Sequence, residues 1–379
     1  MCRVVILSIV WRHVAAAPSQ LLGTGPRVAS RSVGVLERID TISQRHVDER
    51  ELRIAVLAEL RTAIPFDAFA WLLTDPVTCV GSSPVADVPD LSDLPRVIRA
   101  KYLTTVNRWT SLDAGVAATH VGSTSGDRSE VDPWCSMLSS YGICDVASVV
   151  LHDAFGCWGF IDLWRRTAPF SREECGTLGA LAGSVLPALR RAQLSTFESP
   201  SSLDLPGPAV LLLDDDLAVV GQTERSEHHL RVLLPAEAGR AVVPAAALNV
   251  AAQLLAVEAG VDDRPAQARV HVPGRAWMTS SAARVAAGSP KGPTIAVSIA
   301  PTPPTERASL YGRIAGLTRR ETDVLDAIVA GHDSRHAARS LAISEHTLQD
   351  HLKSIFAKTR TDSRRLLIAR ATGASASWA

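Results

Sequence analysis

The chain has 379 residues, 46% of them hydrophobic and 21% charged, a balance that suits two or three globular domains and excludes a disordered or collagenous chain. Its 39 basic and 39 acidic residues cancel, so any contact with nucleic acid has to rest on a local excess of charge. No apolar run reaches the length that crosses a bilayer. The six cysteines, at positions 2, 79, 135, 144, 157 and 175, form neither a CxxC pair nor a Cys/His zinc spacing. They read as buried or free thiols in a reducing cytoplasm, with redox or metal sensing as the alternative, because five of them fall in one N-terminal domain.

Residues 1–34 carry Arg3, an apolar run Val4–Trp11 and then Ala-rich residues, a pattern that resembles a short signal peptide. The rest of this stretch has no periodicity, and it is read as an N-terminal extension, disordered or mis-started, with Val28 or Val35 as alternative starts. Residues 35–192 form the first folded unit. Val35, Leu36, Ile39 and Ile42, then Leu52, Ile54, Leu57 and Leu60, recur at helical spacing. Phe69–Leu73 reads as a strand. Ala147–Leu151 and Trp158–Leu163, joined through residues 152–156, read as a hairpin. Ser171 is placed to cap a long helix with Leu178, Leu181, Val185, Leu186 and Leu189 as its apolar stripe. This order of elements, with the segment DVASVVLHDAFGCWGFIDLWR, resembles a GAF domain and implies an α+β sensor fold. Trp71, Trp109, Trp134, Trp158 and Trp164 read as core, with the lining of a ligand pocket as the alternative. Arg108, Asp145, Asp162 and Arg165 are candidates for polar ligand contacts or for structural pairs, and the ligand-binding residues stay unassigned.

Residues 193–208 are Ser/Pro-rich and read as a linker. A second α/β unit spans 209–300, with strands at Ala209–Leu213 and Leu217–Val220 around the acidic turn Asp214–Asp216. A helix over Pro244–Glu258 follows, then strands at Ala268–Val272 and Thr294–Ile299. Short strands around a helix resemble a PAS domain. A phosphorylation receiver is set aside, because a receiver needs a Lys ending a late strand and only Lys291 is available, in an irregular segment. Pro301, Pro303 and Pro304 mark a second linker over 301–312. No phosphate-cradling glycine loop, HExxH or GxSxG occurs, and His120, His152 and His228 are scattered. The chain is therefore expected to be no enzyme and to have no catalytic residues, metal site or cofactor.

The last segment, 313–373, is the most informative. Thr318 and Glu321 make a capping box, Val324, Leu325 and Ile328 give one apolar stripe, and Gly331 stands where a helix ends. Asp333 is placed to cap a second helix with Ala337, Ala338 and Leu341. Ser344 is placed to cap a third, after the short link Ala342-Ile343. Two helices joined by a tight turn are a helix-turn-helix. On the third helix Leu348, Leu352, Ile355 and Phe356 share one side, and His346, Gln349, Asp350 and Lys353 the other. A major groove admits one helix and meets the N-terminal part of it. Of the polar residues, Gln349, Asp350 and Lys353 have the chemistry to meet base edges, and Thr347, Lys358 and Arg364 lie to the sides, where phosphates would be. Thr361 or Asp362 is placed to cap a fourth helix with Leu366, Leu367 and Ala369 inward. From Tyr311 to Ala371 there are 11 Lys/Arg against 7 Asp/Glu, a small excess that predicts weak non-specific binding and a need for dimers on paired half-sites.

This segment resembles the LuxR-type helix-turn-helix, also called the GerE or FixJ/NarL C-terminal domain. The matching residues are Leu317-Thr318, Arg320-Glu321, Val324-Leu325, Gly331, Ala338, Leu341, Ile343-Ser344-Glu345, Thr347, His351-Leu352, Ile355-Phe356, Lys358 and Ser363-Arg364. Ala337 stands where the family usually has Ile, Gln349 where it has a basic residue, and Thr359-Arg360 where it has Leu-Gly; an acid at Asp350 is rare. The resemblance implies a four-helix DNA-binding domain that dimerises through its last helix, and it argues against export. It also implies base contacts at Gln349, Asp350 and Lys353 and backbone contacts at Thr347 and Lys358. The expected whole is a multidomain chain, two α+β sensor domains (GAF-like, then PAS-like) followed by an all-α four-helix helix-turn-helix domain. Its expected function is that of a cytoplasmic one-component transcriptional regulator, a homodimer on double-stranded promoter DNA, with a small-molecule ligand in the sensor domain and no membrane partner. The alternative is a signal-binding or protein-interaction module whose helical end docks a protein.

Overall fold

The computed structural model describes residues 27–45, 48–119, 132–198, 209–224, 245–272, 276–285 and 294–374. Residues 1–26, most of the 193–208 stretch, His120, His228 and Lys291 lie outside them. Two α+β units with antiparallel sheets are followed by a helical region, the organisation the sequence pattern implies.

The first unit opens with α1 (Arg27–Arg45) and α2 (Glu49–Ala63). Helix α1 begins within the stretch read as an unstructured extension; Val35 and Ile39 are buried and anchor a helix that continues N-terminally of the visible pattern. Asp48 caps α2 by accepting from Arg50 N and Glu51 N, both at 2.9 Å. Then come β1 (Ala68–Thr74), β2 (Gly81–Asp87), α3 (Leu94–Leu103), β3 (Ala117–Thr119), α4 (Pro133–Ser140), β4 (Asp145–Asp153), β5 (Gly156–Arg165) and α5 (Arg172–Ser195). The sheet runs β2-β1-β5-β4-β3. The β4–β5 hairpin turns tightly at Gly156, where a Cβ would meet Pro76 O at 2.4 Å, so only glycine fits. Alternate residues of β4 serve different cores: Ala147, Val149 and Leu151 pack with the α5 stripe, and Val146 packs with Trp134 and Trp164. Cover on both faces explains why β4 and β5 read as unbroken apolar runs rather than alternating ones. Strand β2 escaped the sequence pattern because Gly81-Ser82-Ser83-Pro84 lacks strand formers; as an edge strand it tolerates the proline.

The second unit holds β6 (Ala209–Leu213), β7 (Val219–Gln222), α6 (Ala245–Glu258), β8 (Gln267–His271), β9 (Trp277–Val285) and β10 (Thr294–Pro301). Its sheet runs β7-β6-β10-β9-β8, which is the strand order of the first sheet repeated. Strand β7 starts two residues later than expected because Leu217 takes a left-handed φ of 63° in the turn, its N–H donating to Asp214 O at 3.0 Å. Helix α6 is apolar except for the buried Asn249 and Gln253 and its closing Glu258, and it is buried on nearly every side, because it is wedged between its own sheet and α3 and β2 of the first unit.

Residues expected to be linker after Pro301 instead form α7 (Pro304–Ala315), with Leu310, Tyr311 and Ile314 buried. The prolines punctuate a helix start there: Pro304 occupies the first turn, where its missing N–H costs nothing.

The two sheet units are bolted together by buried charge. Arg269 donates from Nε and Nη2 to Asp75 at 2.6 and 2.8 Å, and Arg108 Nη2 donates to Asp262 at 2.8 Å. Thr78 Oγ1 adds a bond to Gln267 O at 2.6 Å. Burial pushes the Asp75 carboxyl up, but Arg269 and the Val77 and Thr78 N–H groups outweigh it and hold it below the usual range. Removing one partner of such a pair leaves an uncompensated buried charge. Arg269→Ala is expected to cost about 3–5 kcal/mol in urea unfolding of the full chain; a loss under about 1 kcal/mol would show that the pair does not lock the units.

Candidate nucleic-acid interface

After α7 come α8 (Arg319–Val329), α9 (Ser334–Ser340), α10 (Glu345–Thr359) and α11 (Arg364–Thr372). Their N-termini are capped by side chains. Thr318 and Glu321 form the reciprocal box, Asp333 accepts from His336 N at 2.7 Å, and Ser344 Oγ accepts from Thr347 N at 3.0 Å. The cap of α11 is Ser363, which accepts from Leu366 N at 3.3 Å, rather than Thr361 or Asp362; Thr361 is spent inside, its Oγ1 2.9 Å from Thr359 Oγ1. Gly331 ends α8 with φ 87°, and Ala342 turns the chain between α9 and α10 with φ 54°. Arg360 closes α10 at φ 52°, so it keeps the left-handed conformation for which glycine is the usual residue.

Helix α10 buries Leu348, Leu352 and Ile355 against α8 and α9, with Phe356 half-buried. The opposite face is open. The side chains of His346, Asp350 and Lys353 are 88%, 56% and 77% exposed, and Gln349 is exposed beside them. Asp350 stands 3.7 Å from His346 Nε2 and 3.6 Å from Lys353 Nζ. Thr347 is exposed at the N-terminal turn, its Oγ1 2.9 Å from Ser344 Oγ. The other two residues expected at the DNA backbone already make internal bonds. Lys358 Nζ donates to Glu321 Oε2 at 2.6 Å, and Arg364 donates to His332 O.

Glu321 is the residue whose full role the sequence hid. A capping box announces its bond to Thr318 N, 2.7 Å. Its other oxygen accepts from Ser354 Oγ at 2.6 Å, so the one carboxylate ties α8 to α10 with both oxygens. Burial pushes its pKa up, but Lys358, Ser354 and Thr318 outweigh this and bring it down to about 2.

The N-terminal candidates resolve into structure. All five tryptophans are core: Trp109 stacks on Phe160 at 4.4 Å, and Trp134 meets Trp164 edge-on at 5.6 Å. Arg108 pairs with Asp262, Asp162 with Lys101 at 2.9 Å and Arg165 with Glu174 at 2.7 Å, and Asp145 accepts from Phe170 N at 2.9 Å. The cavity bordered by Trp134, Trp164 and Phe160 holds only about 50 Å³, well short of the few hundred Å³ typical of a small-molecule site. Cys79, Cys135, Cys144, Cys157 and Cys175 are free thiols. Among the described residues, no cluster of His, Cys, Asp or Glu is placed to hold a metal, and no helix is long and apolar enough to cross a membrane.

Because Glu321 is more acidic folded than unfolded, its contribution is complete above its ordinary pKa of 4.5 and is lost as pH falls towards about 2. Glu321→Gln is expected to lower the opening free energy of α8 and α10, read by amide hydrogen exchange in the full chain, by about 2 kcal/mol at pH 7. The gap to the wild type should close between pH 4.5 and 2. A gap that stays constant over that range would remove the ion pair from the account.

Residues 315–371 match the family model described as bacterial regulatory proteins, luxR family. No curated protein matches the chain. Among solved structures, SdiA in complex with octanoyl-rac-glycerol is similar at 12% identity, covering 93% of this chain and 97% of that one with a TM-score of 0.35. A crystal structure of Escherichia coli SdiA is similar at 13%, covering 91% and 98% with a TM-score of 0.31. Superpositions this loose bear on neither fold nor function. The capping, the buried stripe and the matched span agree on one identification: the C-terminal part of this chain is a luxR-family helix-turn-helix domain.

Proposed function

We propose that this chain is a one-component transcriptional regulator that binds promoter DNA as a homodimer, with its DNA affinity set by a small molecule held in the N-terminal units. The observation that carries the reading is the split of α10, with its apolar side buried in the domain and its N-terminal polar side unobstructed by any other described part of the chain. Gln349 and Lys353 stand one turn apart on that side, where the helix would meet base edges: Gln suits adenine, and Lys suits guanine or phosphate. Asp350 suits cytosine N4. Thr347 serves phosphate directly, whereas Lys358 and Arg364 turn to phosphate at the expense of their bonds to Glu321 and His332. The second copy joins through α11, whose Leu366, Ile368 and Ala369 are only half-buried.

DNA binding by the purified full-length protein, measured at several salt concentrations, tests this. The logarithm of affinity should fall linearly with the logarithm of salt, and a two-fold symmetric site should be enriched from genomic DNA. A flat salt response with no enriched site would shift the weight to a helical end that docks a protein. Gln349→Ala and Lys353→Ala should each cost about 1–3 kcal/mol on the enriched site and relax preference at one base position; unchanged selectivity in both removes the groove assignment.

Asp350 sits 3.6 Å from Lys353 and partly cancels it in front of a polyanion. Asp350→Asn is therefore expected to tighten binding to random-sequence DNA roughly three- to tenfold at low salt. It should also narrow the ratio between specific and random sites, because the new contact is indifferent to sequence. An unchanged random-site affinity would place Asp350 away from the DNA.

A further inference from the structure

A cavity of about 500 Å³ lies where the two sheet units meet. Its walls come from β1 and β2, the start of α2, the last turn of α5, and the paired strands β8 and β9 of the second sheet. Its volume falls in the range of small-molecule sites, about 300–1,000 Å³, which the cavity among the tryptophans does not reach. None of the residues singled out in the sequence for ligand contacts lines it.

The chemistry of the wall is specific. Four hydroxyls spend their protons on main-chain carbonyls: Thr74 on Cys157 O at 2.8 Å, Ser82 on Leu73 O at 3.2 Å, Ser195 on Ala192 O at 2.7 Å and Thr196 on Gln193 O at 2.7 Å. A hydroxyl whose proton is spent offers only lone pairs. Gln193 is buried, and its Oε1 meets no donor among the described residues. A buried acceptor left without a donor is costly, so the wall asks for O–H or N–H groups from an occupant. The charged groups deeper in the wall are already paired: Arg269 with Asp75, and Glu49 with Arg53. His271 is neutral near pH 7, burial and the nearby Arg307 charge having lowered its pKa to about 4. Arg45, Asp48 and Glu51 are exposed, at the mouth. Among the described residues, an ion that lost its hydration would find no unspent counter-charge inside. Leu73, Val270 and the Trp277 ring supply apolar faces for C–H groups.

We propose that this inter-unit cavity is a binding site for a small uncharged polyol of monosaccharide size. Gln193 Oε1 and the Thr74 and Ser82 oxygens accept its hydroxyl protons, and Trp277 lies against its carbon face.

The site is placed to reach the DNA-binding domain. Trp277 Nε1 donates to Thr196 Oγ1 at 3.2 Å, and its ring packs on Phe197 at 5.2 Å. Phe197 packs on Tyr311 of α7 at 4.9 Å. Tyr311 Oη donates to Thr359 O, at the end of α10, at 3.4 Å. A ligand against Trp277 thus presses on a stack of three rings that ends on the helix proposed to read DNA. This consequence rests on the proposed regulator function; the binding itself does not, and it is measured without DNA.

The full-length protein is titrated with ribose, glucose, mannitol and myo-inositol, and with the charged counterparts gluconate and glucosamine, by calorimetry and by tryptophan fluorescence. Trp277→Phe identifies the part of the optical signal that comes from the cavity. At least one neutral compound should bind saturably, at least tenfold more tightly than the charged counterparts and at least tenfold more weakly to Gln193→Leu. Ser82→Ala is the second variant, should Gln193→Leu fail to fold, and should weaken binding in the same sense. Purely linear, unsaturable responses across the panel overturn the proposal. So does saturable binding that both variants leave unchanged, or a charged counterpart that binds as well as the neutral one. Each of these three results leaves the salt-dependent DNA measurement standing on its own.

Discussion

The arrangement of the whole molecule depends on two arginine–carboxylate pairs hidden between the sheets, Arg269 with Asp75 and Arg108 with Asp262. Asp75 is fully buried, and the side chains of Arg108 and Asp262 are 3% and 1% exposed. Buried pairs return little net stability over apolar packing, because both ions lose their water. What they do enforce is geometry: each guanidinium has a fixed fork, and a slip of the second sheet along the first would strand Asp75, Arg269 and Arg108 at once, Asp262 alone keeping Arg264. Helix α6 buries only Asn249 and Gln253 as polar residues, and its alanine-rich remainder could pack against the first unit in more than one register. The ion pairs select one. The cavity between the units persists for the same reason, since the walls cannot slide together to close it.

The same rigidity extends to the helical region. Arg190 of α5 donates to Ile314 O at 3.1 Å and Arg313 O at 3.3 Å, at the end of α7, and holds Asp153 at 3.0 Å. Arg313 returns the contact by donating to Phe155 O at 3.0 Å. A cation on the free carbonyls of a helix C-terminus is favourable twice, as a hydrogen bond and against the helix dipole. Gly316 makes this approach fit, since its φ is 72° and a Cβ would sit 2.4 Å from Arg190 Nη2. Helix α7 therefore belongs to both sides: it is clamped to the first unit at its end and packed on α8 and α11 along its length.

How much of this was legible follows from the range of the forces involved. The helix-turn-helix was readable almost residue by residue, because its signals are local: caps at Thr318, Asp333 and Ser344, a glycine stop at Gly331, and a stripe repeating every three or four positions. The β4–β5 hairpin was readable for the same reason. The elements missed are those whose identity comes from a distant partner. Strand β2 has poor strand residues and exists because β1 offers it an edge. Helix α7 looks like a proline-rich linker until Leu310, Tyr311 and Ile314 find the helical core. The pairing of Arg108 with Asp262 spans 154 residues, and nothing in the local sequence of either announces it. The proposed ligand site was illegible for a related reason: Gln193, Thr74 and Ser82 come from three elements of the first unit, and only tertiary packing, closed by Val270 and Trp277 of the second, turns ordinary polar residues into one wall.

These constraints bear jointly on how the proposed dimer would read DNA. The surplus of four positive charges over residues 311–371 is small, and Asp350 offsets part of it where the groove would be, so one copy holds DNA weakly. In the proposed dimer, binding would then depend on two copies presenting α10 about 34 Å apart. A flexible tether before α8 would leave that spacing free, and each dimer would lose orientational entropy on every encounter. There is no such tether within the described chain, because α7 is clamped by Arg190 and continues through Gly316 straight into the capping box of α8. In the proposed dimer, half-site spacing would thus be inherited from the N-terminal units. A small rotation at the joint between sheets and α7 would move both copies of the proposed reading helix together, which would make that joint, rather than the DNA-facing surface, the economical place for a ligand to act.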